Sequence, residues 1–109
     1  THDNETLSGW FECITDEERR MARDYICDYN TLDRNIYMSF ISLVLMSKSN
    51  LSIIPMQDYL GYGNEARMNK PSTVGENWKW RLKSEELSME LQTNLRKLAR
   101  IYGRLGWQW

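Results

Sequence analysis

Histidine, cysteine and proline are scarce in this 109-residue chain, with one, two and two copies respectively. Each scarcity closes off a class of function. Cys13 and Cys27 stand fourteen positions apart with no C-x-x-C pair, and His2 is the lone imidazole, so neither a zinc site nor a disulfide scaffold is expected. Both cysteines read as reduced, structural thiols. Long apolar runs are missing too: the longest, Phe40 to Met46, is interrupted by Ser42 and falls far short of the ~20 residues needed to span a bilayer. No secretory signal is visible, which makes a cytoplasmic protein the default. A formal net charge of -1 supplies no field that would draw nucleic acid or an anionic membrane. An initiator methionine is also lacking. The chain opens at Thr1, and the polar His2, Asp3 and Asn4 look like the interior of a site rather than a frayed end, so a fragment of a longer polypeptide is expected.

The chain has enough length for one domain of ordinary size with a real core. Residues 1–50 carry nine acids and five bases, and residues 51–109 six acids and nine bases; an acidic half beside a basic half suits docking of the two more than recruitment of a polyanion. Thr15-Asp16-Glu17-Glu18 has the spacing of a capping box. Met21, Ala22, Tyr25, Ile26 and Tyr29 then recur at helical period, and Asp28 to Thr31 should end that helix. A second helical pattern runs from Asp33 through Ile36, Tyr37, Phe40, Ile41 and Leu43 to Met46. Its apolar residues cover most of the circumference, which predicts burial on more than one side.

Ser47 to Asn50 is turn-like, and Leu51 to Met56 reads as a short strand covered on both faces, with Pro55 marking an edge or an end. A final helix is expected after Ser84, with Leu87, Leu91, Leu95, Leu98 and Tyr102 on one stripe and Gly103 as the stop. The aromatic tail, Leu105 to Trp109, suits packing back onto the fold. Helix, buried strand, loop and helix form an α/β rhythm, yet one strand is too little for a sheet. The fold class expected is therefore predominantly α with one or two short strands, the strands' partners lying outside these residues.

Between the strand and the last helix, Gln57 to Leu82 shows no sustained hydrophobic period. Loops this long are uncommon, and are usually functional or disordered. Tyr59, Leu60, Tyr62, Met68, Trp78, Trp80 and Leu82 carry too much apolar surface for a solvated linker, so an ordered functional loop is expected. Asp58, Gly61, Gly63, Asn64 and Glu65 make a turn-rich acidic cluster, but its spacing does not match an EF-hand, and no metal or cofactor is expected. Gly61 and Gly63 likewise lack the strand-turn-helix context of a dinucleotide site. Trp78, Trp80 and Leu82 alternate with Lys79, Arg81 and Lys83. That pattern favours core packing over sugar stacking.

Two segments together carry a resemblance that neither carries alone. Thr1-His2-Asp3-Asn4 followed by Gly9-Trp10, and then IPMQDYLGYGNEARMNKPSTVGENWKWRL from Ile54 to Leu82, are similar to active-site segments of the 4-α-glucanotransferases, also called amylomaltases or disproportionating enzymes. The order is right and the likeness continues to the C-terminus. Departures at Glu5, Lys70 and Ser72 are modest. The resemblance implies the last two strand-helix units of a catalytic (β/α)8 barrel, with the chemistry at strand C-termini. It also implies retaining transfer of α-1,4-glucan segments to glucose or glucan acceptors through an oxocarbenium-like transition state.

By resemblance, Asp3 is the carboxylate that holds the ring hydroxyls of the transferred sugar, and His2 is its hydrogen-bonding neighbour. The nucleophile and the acid/base are expected before Thr1, leaving the fragment alone inactive. Asn69 and Arg67 are expected to bind substrate, a maltooligosaccharide or α-glucan, although Arg67 could equally tie the loop to Glu65 or Asp58. The competing class is a non-catalytic glucan-binding or structural helical interaction module. Separated from a barrel, the chain would expose the apolar 40–51 region and strand edges, so self-association is expected.

Overall fold

The computed structural model describes residues 5–75 and 77–104. His2 and Asp3, and the tail from Leu105 to Trp109, lie outside the described residues. Within them the chain is helical: α1 (Leu7–Cys13), α2 (Asp16–Ile26), α3 (Tyr37–Met46), the single turn α4 (Met56–Tyr59) and α5 (Met89–Ile101), joined by short 3-10 turns. No helix among them is long and apolar enough to cross a membrane.

α2 begins where its capping box predicts. The Glu18 N–H donates to Thr15 Oγ1 at 3.1 Å and the Thr15 N–H to Glu18 Oε1 at 3.1 Å, while Asp16, Glu17 and Glu18 place negative charge against the N-terminal end of the helix dipole. It ends one residue earlier than Asp28, through Cys27 at φ 54°. The Cys27 N–H donates to Asp24 O and the Asp28 N–H to Arg23 O, the paired bonds of a Schellman stop, with cysteine in the place glycine usually takes. α5 closes in the same way at Gly103, whose N–H meets Arg100 O while the Arg104 N–H meets Ala99 O.

α3 is the hub, packed against α2, α4, α5 and the 3-10 turn Asp33–Asn35. Ile41 and Leu45 are inside, while Met38, Val44 and Met46 are exposed. Neighbours thus meet α3 on more than one side, as expected, but no described element covers Met38, Val44 and Met46. Arg104 ties the end of α5 to the end of α3, donating from Nε to Leu45 O at 2.8 Å and from Nη2 to Ser47 O at 3.1 Å. These bonds satisfy carbonyls that the end of α3 leaves without helical partners.

Leu51 to Met56 is not a strand. Residues 51–55 are irregular, and Pro55, at φ −59° and ψ 148°, caps the turn α4 that Met56 begins. A strand exists through its ladder, and among the described residues no neighbouring strand pairs with this one; Leu51 and Ile53 stand 75% and 79% exposed. The last helix also starts later than expected. Ser84–Glu86 forms a separate 3-10 turn, and Ser88 caps α5 by accepting the Leu91 N–H at 3.1 Å. Leu91, Leu95, Leu98 and Tyr102 keep the expected stripe half-buried, while Leu87 is exposed. Both cysteines are free and exposed.

Phe11 anchors the small core with Ile36, Ile41, Leu45 and Ala66. Its ring lies 6.1 Å from Phe40, and the guanidinium groups of Arg19 and Arg23 stand 5.9 and 5.8 Å from its centroid. Arg19 also donates to Phe11 O and Glu12 O, and Arg23 to Asp28 O, Thr31 O and Asp33 Oδ1. Both arginines therefore cover the aromatic face and cap chain ends at once. Between α2 and α3, Asp28 accepts from Ser39 Oγ at 2.5 Å, from Thr31 Oγ1 at 2.7 Å, and from the N–H groups of Thr31 and Asn30. The Ser39 hydroxyl, then the Thr31 hydroxyl and N–H, hold its carboxyl far below the ordinary aspartate range.

Two predictions follow from the joint between α2 and α3. A depressed folded-state pKa stabilises the fold above the unfolded value of about 4, and that stability is lost as pH falls below it toward the folded value. Asp28→Ala should therefore lower the melting temperature at pH 7, with the gap to the parent narrowing below pH ~4; a gap constant with pH would contradict this origin. Cys27→Gly should raise stability by about 0.5–1 kcal/mol, as glycine relieves a left-handed penalty of about 1–2 kcal/mol but adds freedom to the unfolded chain. Denaturant titration of the two proteins measures it, and an unchanged midpoint would refute it.

Candidate functional site

The start of α1 is assembled from three parts of the sequence. Thr6, in extended conformation at φ −66° and ψ 155°, caps the helix through Oγ1, which accepts the Gly9 N–H at 3.1 Å. Its own N–H donates to Asn64 Oδ1 at 3.2 Å, and the Leu7 N–H donates to Asp58 Oδ1 at 2.7 Å. Three helix-start donors thus each find a side-chain acceptor, two of them more than fifty residues away in sequence.

The supporting segment is itself tightly held. Gln57 Nε2 donates to Ala66 O at 3.2 Å, linking α4 to the 3-10 turn Asn64–Ala66. Gly61 sits at φ 72°, and a Cβ there would meet the Tyr37 ring at 2.6 Å, so only glycine brings this turn against α3. Gly9 has an equally close neighbour, since a Cβ would lie 2.3 Å from Asn64 Oδ1. The Gly9-Trp10 pair singled out in the sequence thus marks where α1 and the Asn64 turn touch.

Beside this joint lies an open cleft of about 580 Å³. Trp10, Leu7, Ile53 and Met68 make its apolar wall, with Glu5, Asp58 and Arg67 among its polar groups. Trp10 is braced edge-on against Phe40, with ring centroids 5.8 Å apart at 87°. Burial pushes the Asp58 carboxyl above its ordinary range, and the Leu7 N–H opposes that shift. Arg67, only 15% exposed, places Nη1 4.0 Å from Glu5 Oε1, an acidic neighbour that neither Glu65 nor Asp58 anticipated. An apolar wall with a few polar groups beside it is the usual make-up of a small-molecule site.

Asn69 is half-buried two residues beyond Arg67 and is not part of this cleft's lining. From there the chain closes on itself: the Lys70 N–H donates to Asn77 Oδ1 at 2.8 Å, Asn77 Nδ2 to Thr73 O at 3.0 Å, and the Trp78 N–H to Met68 O. Arg81 Nη1 then donates to Trp78 O and Trp80 O, Tyr62 stacks edge-on with Trp80, and its hydroxyl donates to Glu86. The period-two pattern of Trp78, Trp80 and Leu82 does not survive, because Trp78 turns at φ 64°. Trp78 and Leu82 are exposed and Trp80, packed against Tyr62, is half-buried, so the three do not form a core.

Of the predicted site residues, Arg67 lines the cleft, Asn69 lies next to it in sequence, and His2 and Asp3 fall outside the described residues. Thr6, Asp58 and Asn64 were not singled out for this joint. Thr6 with Leu7, Trp10 and Phe11 carried a local signal of a cap followed by helical spacing, whereas no local pattern pairs Asp58 and Asn64 with α1. Gly9→Ala should cost about 1–3 kcal/mol by overpacking against Asn64. Asn64→Ala removes the clashing amide, so the double variant should lose less than the sum of the singles; strict additivity in denaturant titrations would show that the two residues do not touch.

Residues 1–88 match the family model for 4-alpha-glucanotransferase. The chain is 45% identical over 105 residues to a 4-alpha-glucanotransferase of Clostridium butyricum, covering 95% of this chain and 21% of that protein. It is 42% identical over 108 residues to the chloroplastic/amyloplastic 4-alpha-glucanotransferase of Arabidopsis thaliana, covering 96% and 18%. The structure of an amylomaltase from Streptococcus agalactiae in complex with acarbose superposes with a TM-score of 0.87 at 36% identity, over 95% of this chain and 21% of that one. The chain spans about a fifth of the length of these relatives. With its family model matched over most of its residues, the chain belongs to the 4-alpha-glucanotransferase family.

Proposed function

We propose that this chain is the C-terminal part of a 4-alpha-glucanotransferase and supplies one wall of its glucan cleft. The superposition on an amylomaltase solved with acarbose carries this reading. In it the 109 residues are the last two strand-helix units of a (β/α)8 barrel, and the irregular 51–55 stretch becomes a strand once paired. Exposure of Leu51, Ile53, Val44 and Met46 fits a surface that other barrel elements cover. Two exposed free thiols accord with a reducing, cytoplasmic setting.

The reaction proposed is retaining transfer of a glucan segment to the hydroxyl of glucose or another glucan. Asp3 grips the hydroxyls of the transferred sugar more tightly as its ring flattens, and His2 orients that carboxylate. Arg67 and Asn69 hold the glucan from the loop, with Trp10 as an apolar platform beside them. The nucleophile and the general acid/base come from residues other than these, so the isolated chain is inactive and self-associates through its apolar face.

The test replaces the matching segment of the Clostridium butyricum relative with these 109 residues and assays maltotriose. The hybrid should form glucose and longer maltooligosaccharides, and Asp3→Ala in it should lower kcat by roughly 100-fold or more. The isolated chain should produce neither product and should scatter light as an oligomer. Turnover by the isolated chain, or full activity of the Asp3→Ala hybrid, would refute the assignment.

A further inference from the structure

Gln57 lines the cleft, half-buried, from the single turn α4. Its backbone is held there, since the Tyr62 N–H donates to Gln57 O at 3.0 Å and α4 packs on α3. Its amide reaches across to the 3-10 turn Asn64–Ala66, donating from Nε2 to Ala66 O at 3.2 Å. That acceptor is fixed in turn. Ala66 is 1% exposed, its N–H donates to Gly63 O at 3.1 Å, and the next residue's N–H, of Arg67, donates to Asn64 O at 3.1 Å. A side chain that is flexible by itself is therefore oriented before any ligand arrives.

A carboxamide donates at one end and accepts at the other. With the Ala66 carbonyl at the donating end, the orientation of the Gln57 amide is settled, and its Oε1 meets no donor among the described residues. Other acceptors in the lining are engaged: Thr6 Oγ1 takes the Gly9 N–H, Asp58 Oδ1 takes the Leu7 N–H, and Glu5 Oε1 stands by Arg67 Nη1. Gln57 Oε1 is thus a neutral, pre-oriented acceptor in a cleft wall, and a neutral acceptor suits a hydroxyl donor better than a cation.

We infer that Gln57 is a glucan-binding residue of this cleft, its Oε1 accepting a hydrogen bond from one sugar hydroxyl while its Nε2 stays bonded to Ala66 O. The inference rests on the functional reading above, which makes the cleft part of a glucan site. Gln57 takes no part in making or breaking bonds. It selects a sugar that presents a hydroxyl at one position, because an acceptor placed to meet that hydroxyl is left unpaired by an analogue without it.

The hybrid enzyme described above tests this with maltotriose and with monodeoxy maltotrioses that each lack one hydroxyl. Gln57→Met, unbranched like glutamine but without the amide, should lower kcat/KM for maltotriose about three- to tenfold. For the analogue that lacks the hydroxyl Gln57 accepts, the same substitution should change kcat/KM less than about twofold, because that bond is already gone; for the other analogues the loss should persist. A merely structural role would lower all of them alike. Gln57→Ala gives the same comparison if Gln57→Met does not fold.

An inactive unsubstituted hybrid would sink the functional reading and this inference together. With that hybrid active, full kcat/KM for maltotriose in both variants, or an equal loss on maltotriose and on every analogue, would overturn the inference alone. So would an unsubstituted hybrid that uses every monodeoxy maltotriose as well as maltotriose, a measurement that needs no variant.

Discussion

Everything around the cleft depends on side chains from the second half of the chain satisfying backbone N–H groups at the start of the first helix. A seven-residue helix cannot hold itself in water. α1 persists because Thr6 caps it locally while Asp58 and Asn64 accept from Leu7 and Thr6. The same bonds pull Gly9 against the Asn64 amide and set Trp10 and Arg67 on a common cleft. The contact at the start of α1 and the cleft wall are therefore one arrangement, and changes that loosen the first alter the second.

Arginine takes a similar double role in the core. Arg19 and Arg23 lie over Phe11 while their donors satisfy carbonyls at the end of α1 and between α2 and α3, and Arg104 does this for the end of α3. Among the described residues, five apolar side chains form the buried core, which is little for so many helices. Polar caps that join elements make up part of the difference, and a large apolar surface around Val44, Met46, Leu51 and Ile53 stays exposed. Membership of a family whose relatives are about five times longer gives that surface a natural reason to exist.

Legibility in the sequence followed the range of the interactions. The α2 start was readable because Thr15 and Glu18 bond across three residues, and the α5 stripe because its leucines share a helical face. The cap expected at Ser84 moved to Ser88, because Glu86 closes its own 3-10 turn back on Lys83. The apolar run at 51–56 could not disclose whether a neighbouring strand lay alongside; burial and ladder pairing are properties of the surroundings. Trp78 broke its apparent alternation through one left-handed residue, a conformation that a side-chain pattern does not encode.

The sequence by itself determined the family, through two long motifs in order, and the helices whose caps and stripes are local. It also singled out Arg67 and the long loop, and Arg67 does line the cleft. Only the tertiary structure decided that Asp58 and Asn64 hold α1, that Arg67 faces Glu5, and that α3 leaves Met38, Val44 and Met46 exposed. Those outcomes are hydrogen bonds and packing between residues some fifty or sixty positions apart, or depend on which elements pack against a helix. Such pairings leave no period along the chain and arise only when the elements meet.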